Sequence, residues 1–211
     1  MGRENKNAAI AAVHRKKILE SAGRLFAEKG FEAATIEDIS VASEYSRRTV
    51  YAYFRSKEDI LHSLICEGLS ELKSAAEEIS SREMGFEERC RKIFDAMGIF
   101  YARYPAAAEI INGFKPCSED TSEPSPAIRE IFTLGEDINS CLGGFIRSGI
   151  QSGYVRSDTV PELTVYILWS EISAFYGLMQ CKGKFICGQM SISEKELCDY
   201  GFKHIFGSIF A

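Results

Sequence analysis

Between Arg47 and Ala52 the chain reads Arg-Arg-Thr-Val-Tyr-Ala, a row of side chains that could do recognition chemistry. Arginine matches guanine O6 and N7, while the methyls of Thr49 and Ala52 suit the methyl of thymine. Two arginines, a hydroxyl and Tyr51 on the opening turns of a short helix therefore suit a DNA major groove. Either arginine could equally hold a backbone phosphate. Catalytic chemistry has no comparable set. The three histidines, His14, His62 and His204, are far apart, and no nucleophile–base pair, Gly-rich phosphate loop or metal-ligand spacing can be composed. The chain is expected not to be an enzyme, with no cofactor and no metal site.

The elements that must position this row are short helices around a tight turn. Thr35 is a good N-cap with Asp38 three residues on, and Ile36, Ile39 and Ser43 share one face of the helix that follows. The turn is Glu44-Tyr45-Ser46. Ser46 caps the second helix, Arg47 to Tyr53, which turns Val50 and Phe54 inward and leaves the arginines outward. Ser56 caps a third, placing Lys57 at its first position, where the amide end of the helix favours an anion. In front of them a helix from about Ala9 to Lys29 buries Ile18, Ala22, Leu25 and Phe26, and Gly30 ends it. Residues 1–8 read as a frayed tail.

The run Ile18…Ala22…Leu25-Phe26…Gly30-Phe31…Thr35…Ile39-Ser40…Ser46…Thr49-Val50-Tyr51-Ala52-Tyr53-Phe54-Arg55-Ser56-Lys57-Glu58…Leu61 resembles the N-terminal domain of the TetR family of bacterial transcription regulators. The likeness covers roughly residues 14–62. It implies a DNA-binding helix-turn-helix domain over 1–58 and a helical ligand-binding and dimerisation domain over 59–211. By position in the family pattern, Thr35, Ser46, Tyr51, Tyr53 and Lys57 are implied phosphate contacts. Glu44 stands where the family usually has Gly, Tyr45 replaces a small aliphatic residue, and Arg48 replaces a Gly. The last change bears on which sequence is read.

Charge is divided in the same way. Residues 1–58 hold 11 Lys/Arg against 8 Asp/Glu, and the remainder 14 against 22, so a basic head precedes an acidic body. That confines nucleic acid to one end and argues against a non-specific architectural DNA protein. The seven cysteines (Cys66, Cys90, Cys117, Cys141, Cys181, Cys187 and Cys198) contain no C-x-x-C, and the N-terminus has no signal-peptide pattern. A cytoplasmic protein with reduced thiols is expected. A redox regulator using Cys181 and Cys187 is the alternative.

The body is expected to be all α. Helices are predicted over 57–80, 86–103, a short one from Pro105, about 125–152, about 159–180 with Asp158 as cap, and 193–210, with a surface loop over 115–126 and a break over Gly183 to Gly188. From Leu163 to Met179 only Glu171 is charged, so this helix is expected to be buried on most faces. It is too short and interrupted for a membrane span. Ser170, Ala174 and Gly177 form a small-residue stripe, and the last helix offers Leu197, Gly201 and Ile205, so a four-helix dimer interface is expected, as the family has. Phe94, Met97, Tyr101, Phe114, Phe132, Trp169 and Phe175 are candidates for lining a pocket for a small apolar or aromatic effector. Glu171 either reaches a rim or a neighbour, or faces a donor on that ligand. Glu109 and Asn112 are weaker candidates of the same kind. The expected whole is a dimeric repressor of double-stranded operator DNA, with the helix over 57–80 carrying the effector's influence to the head.

Overall fold

The computed structural model describes residues 3–113 and 126–211, with side chains omitted at 3–7, 109–110 and 112–113. Phe114 and the proline-rich loop lie outside the described residues, as do the side chains of Glu109 and Asn112. Among the described residues the chain is helical throughout: α1 (Arg3–Lys29), α2 (Ile36–Ser43), α3 (Arg47–Tyr53), α4 (Lys57–Ser81), α5 (Phe86–Arg103), α6 (Pro105–Gly113), α7 (Pro126–Gln151), α8 (Pro161–Met190) and α9 (Glu194–Phe206). An isolated antiparallel bridge joins Val155 to Phe210. No helix among them is long and apolar enough to cross a membrane.

Two compact units form. One holds α1 to α3, α4 as far as Gly68, and α6; the other holds α4 from Leu69, α5, and α7 to α9. In the first, Ile18, Ala22, Phe26, Ile39, Val50, Phe54 and Ile60 are buried together. Their i, i+4 spacing on α1, with Ile39, Ser40 and Ser43 buried on α2 and Val50 on α3, leaves each short helix one anchored face. Helix α1 starts at Arg3, six residues before the start expected from the apolar stripe. The stripe marks the packed part of a helix, and the helix itself continues beyond it.

In the second unit α8 packs against α5, α7 and α9. Two expectations for it fail. It runs unbroken to Met190, because Gly183 and Cys187 are buried on one edge, and packing of that edge outweighs glycine's weak helix preference. Nor is it buried on most faces. Leu163, Tyr166, Ile167, Leu178 and Phe185 are exposed, Phe185 at 68% and Ile167 at 58%. Its cap position is Val160, without a side-chain bond, while Asp158 accepts from Arg156 instead. Helix α9 has a complete capping box, Ser193 with Glu196, and ends at Phe206 rather than Phe210.

Candidate nucleic-acid interface and effector cavity

The recognition surface is built on caps. The Thr35 hydroxyl accepts from the Asp38 amide and donates to the Asp38 carboxylate at 2.8 Å, and that carboxylate accepts the Thr35 amide in return. Lys29 donates to the same carboxylate at 2.9 Å and, with Thr35, holds it below the usual carboxylate range. At the far end of α2, Glu44 adopts φ 60°, and the amides of Glu44 and Tyr45 return to Val41 and Ser40. This is a left-handed helix terminus of the kind that glycine makes without strain. Here a glutamate takes it, held by an ion pair with Lys17.

Helix α3 then starts where Ser46 accepts from the Thr49 amide at 3.1 Å, its hydroxyl also bonded to that of Thr49. Val50 is buried, and Arg47, Arg48, Tyr51 and Ala52 are exposed on one surface with Thr49 half-buried beside them. Arg47 is not idle: its Nε lies 2.8 Å from Glu37 on α2. Lys57 is turned inward. Its ammonium donates to the carbonyls of Phe31 (2.7 Å) and Glu32 (3.2 Å) and sits over the Phe31 ring, so in the free chain it clamps the α1–α2 connection. The amide end of α4 is what remains there for an anion. The Tyr53 hydroxyl lies 3.0 Å from His14 Nδ1, and Arg15 stacks over Phe54 while bonding Ser63.

Glu37, His14 and Arg15, which touch Arg47 and Tyr53, are neighbours of this surface that sequence reasoning missed. A signal existed for His14, which stands one turn before Ile18 on the inward stripe of α1.

In the second unit two small apolar cavities, about 30 and 10 Å³, share Ile93, Met97, Leu142 and Trp169 as lining. Of the residues expected to line a pocket, Met97 and Trp169 do so. Phe94, Tyr101 and Phe175 do not line these cavities. They belong to a packed aromatic cluster with Tyr176, in which Phe94 is fully buried and the Tyr101 hydroxyl donates to Ser173. Phe132 is 38% exposed. Glu171 is exposed on α8 and meets neither cavity, so its carboxylate needs no buried partner.

The expected dimer residues divide. Leu163, Ile167, Ser170, Ala174, Leu178 and Phe185 fall within one sector of α8 at 100° per residue, all exposed, with Gly177 at its edge. Gly201 and Ile205 are buried inside this chain, Gly201 against Phe175, and are not free to meet a partner; Leu197 is half-buried. Cys181 is exposed and Cys187 buried. Six residues apart on one helix, they are separated by about 9 Å along the axis and point to different sides, which no disulfide spans.

A capped helix pair joined by a tight turn and presenting two arginines has the geometry of a helix-turn-helix. Residues 18–64 match the family described as bacterial regulatory proteins, tetR family. The chain is 26% identical over 159 residues to the uncharacterized HTH-type transcriptional regulator YhgD of Bacillus subtilis, covering 74% of this chain and 80% of that one. Its fold is similar to that of the ketosteroid transcriptional regulator KstR2 of Mycobacterium tuberculosis, with a TM-score of 0.72, 20% identity and 93% and 95% of the chains covered. It is also similar to FadR of Bacillus subtilis in complex with stearoyl-CoA, with a TM-score of 0.66, 18% identity and 90% and 96% covered.

Proposed function

We propose that the chain is a homodimeric repressor that binds double-stranded operator DNA through α3 and leaves it when a small apolar or aromatic molecule occupies the body. The observation that carries this is the exposed row Arg47, Arg48, Tyr51 and Ala52, with half-buried Thr49 beside it, on a helix locked by Ser46. Arg47, Arg48, Thr49 and Ala52 address base edges. Thr35, Ser46, Tyr51, Tyr53 and the α4 amide end at Lys57 hold phosphates. A single such head reads few base pairs, and a twofold pair set about 34–36 Å apart enters successive major grooves. The apolar sector of α8 gives a second copy something to bury, since a lone exposed stripe of that kind costs solubility.

The small cavities favour an effector that acts by selecting a different body conformation, because neither admits a drug-sized molecule. Their lining is apolar, and the acyl chain carried by the FadR ligand is of that class. Selecting bound duplexes from a random pool, then adding acyl and aromatic compounds, tests both halves. Recovery of a palindromic site released by one compound class is expected; no enriched site would end the reading. Ile167→Glu is expected to yield a monomer by sedimentation, with operator affinity lowered by an order of magnitude or more. The thiol alternative has no geometry in its favour.

A further inference from the structure

We propose that Arg48 is the residue by which this chain selects its DNA sequence: it reads a guanine in each half-site, with Ala52 fitted to a nearby thymine methyl, while Arg47 holds the DNA backbone. The inference rests on the DNA-binding reading of α3 and divides the work of its two arginines. Most polar side chains around the row are already committed. Arg47 Nε lies 2.8 Å from Glu37 on α2. The Thr49 hydroxyl is bonded to that of Ser46 at 2.9 Å, and the Tyr53 hydroxyl to His14 at 3.0 Å. Arg48 is exposed and has no hydrogen bond, ion pair or ring contact among the described residues. Its guanidinium is therefore free to act as a fork with donors on two parallel N–H groups.

Helix phase assigns the same roles. Val50 is the buried anchor of α3. At about 100° per residue, Arg48 and Ala52 lie about 160° from Val50, one on each side of the direction opposite the anchor, whereas Arg47 and Tyr53 lie only about 60° from it. A helix seated in the major groove turns the face opposite its anchor to the base edges and its flanks to the two phosphate walls. Arg48 and Ala52 are about 6 Å apart along the axis, so they meet base pairs one or two steps apart at about 3.4 Å per step. The arginine fork matches guanine O6 and N7, and the Ala52 methyl leaves it room while packing on the methyl of thymine. Arg47, on the flank and drawn toward α2 by Glu37, is placed for a phosphate, which positions the protein without selecting a sequence. Arg48 stands where the resembled pattern has Gly, so the guanine contact belongs to this chain in particular.

The test is selection of bound duplexes from a random pool by the full chain, sequenced for the wild type, Arg48→Ala, Arg48→Gln and Arg47→Ala, each checked for native circular dichroism. The wild type is expected to enrich a palindrome with a guanine in each half-site and a thymine one or two base pairs away. Arg48→Ala is expected to lose about five- to hundredfold of the preference for guanine at that position and to keep the rest of the site. Arg48→Gln is expected to move the position toward adenine, which glutamine reads in the same groove; a phosphate contact would not move it. Arg47→Ala is expected to keep the wild-type site, bind it more weakly and lower the salt slope by about one. The assignment is overturned if Arg48→Ala weakens every duplex equally with its guanine preference intact. Loss of a base preference in Arg47→Ala alone, or a wild-type site with no guanine at symmetric positions, overturns it too. Failure of the wild type to enrich any site would instead remove the DNA-binding reading beneath it.

Discussion

Phe175 on α8 packs against the bare Cα of Gly201 on α9, so closely that a Cβ there would lie 2.6 Å from the ring Cζ. The contact shows where the glycines of the last two helices are spent. Gly201 lets α9 approach α8 within one chain, whereas Gly177 has nothing within 4 Å of its absent Cβ. Gly201→Ala is expected to destabilise by about 1–3 kcal/mol through overpacking. Gly177→Ala is expected to leave stability unchanged or raise it by up to about 1 kcal/mol. Urea unfolding of both variants checks this, and equal losses would contradict the packing described.

Lys29 and Lys17 of α1 hold the two ends of α2, through Asp38 and Glu44. The Lys29 hydrogen bond, with Thr35, lowers the Asp38 carboxyl, and the Lys17 hydrogen bond lowers that of Glu44. A carboxyl depressed in the folded state contributes stability that is complete above its unfolded value, about 4, and is lost as pH falls through the folded value. The head is therefore expected to lose stability in acid below about pH 4, and Asp38→Asn with Glu44→Gln is expected to flatten that limb of a melting-temperature profile. Glu44→Gly removes both the Lys17 pair and the left-handed strain, which costs a non-glycine residue about 1 kcal/mol. At high salt, where the pair is screened, it is expected to stabilise.

Glu37 holds Arg47 at 2.8 Å and would face the same duplex that Arg47 approaches. Glu37→Gln is expected to tighten DNA binding several-fold at low salt by freeing the guanidinium and removing a like charge from the polyanion's path. Arg47→Ala is expected to weaken it. A Glu37→Gln protein with weaker binding would mean the pair orients Arg47 rather than competing for it.

Head and body differed in how much they disclosed as sequence. Thr35, Ser46, Val50 and Phe54 were legible because capping and helical period are local rules, and each was found at its expected post. The side-chain partners were not. Nothing local tells Lys57 to bond the Phe31 carbonyl or Tyr53 to meet a histidine 39 residues away. On α8 an almost uncharged helix reads alike whether its apolar residues meet this chain or another surface. Exposure of Ile167 and Glu171 therefore had to come from the fold. Glycines at 183 and 188 suggested a break because propensity was weighed without the packing that overrides it.

Cys90 is buried on α5, and desolvation pushes its thiol up to about 12. The thiolate is the reactive form, so this side chain is inert in the native protein. Cys181 is exposed. Iodoacetamide labelling followed by peptide mass mapping is expected to modify Cys90 only after unfolding, and Cys181, which shares the α8 sector of Leu163 and Ala174, faster in monomeric Ile167→Glu than in the wild type. If peroxide changes operator affinity and Cys181→Ser abolishes the change, thiol sensing returns; unchanged affinity is expected.

Met97 stands between the two cavities, and its side chain is part of the wall of each. Truncation to alanine joins them, leaving a dry space bounded by Ile93, Leu142 and Trp169. The cost is expected to be about 2–5 kcal/mol, the transfer term of the lost thioether plus the contacts its neighbours no longer make. An apolar cavity of that origin takes up small apolar molecules. Benzene is therefore expected to raise the melting temperature of Met97→Ala in proportion to the logarithm of its concentration above Kd, and to leave the wild type almost unmoved. The comparison separates two designs for an effector site. If benzene stabilises the wild type equally, space for a ligand opens readily in the native body, and the effector needs little rearrangement. If only the variant responds, the body is closed in its resting state, and the effector must favour a different arrangement of α5, α7 and α8 strongly enough to offset the packing that Met97 now supplies.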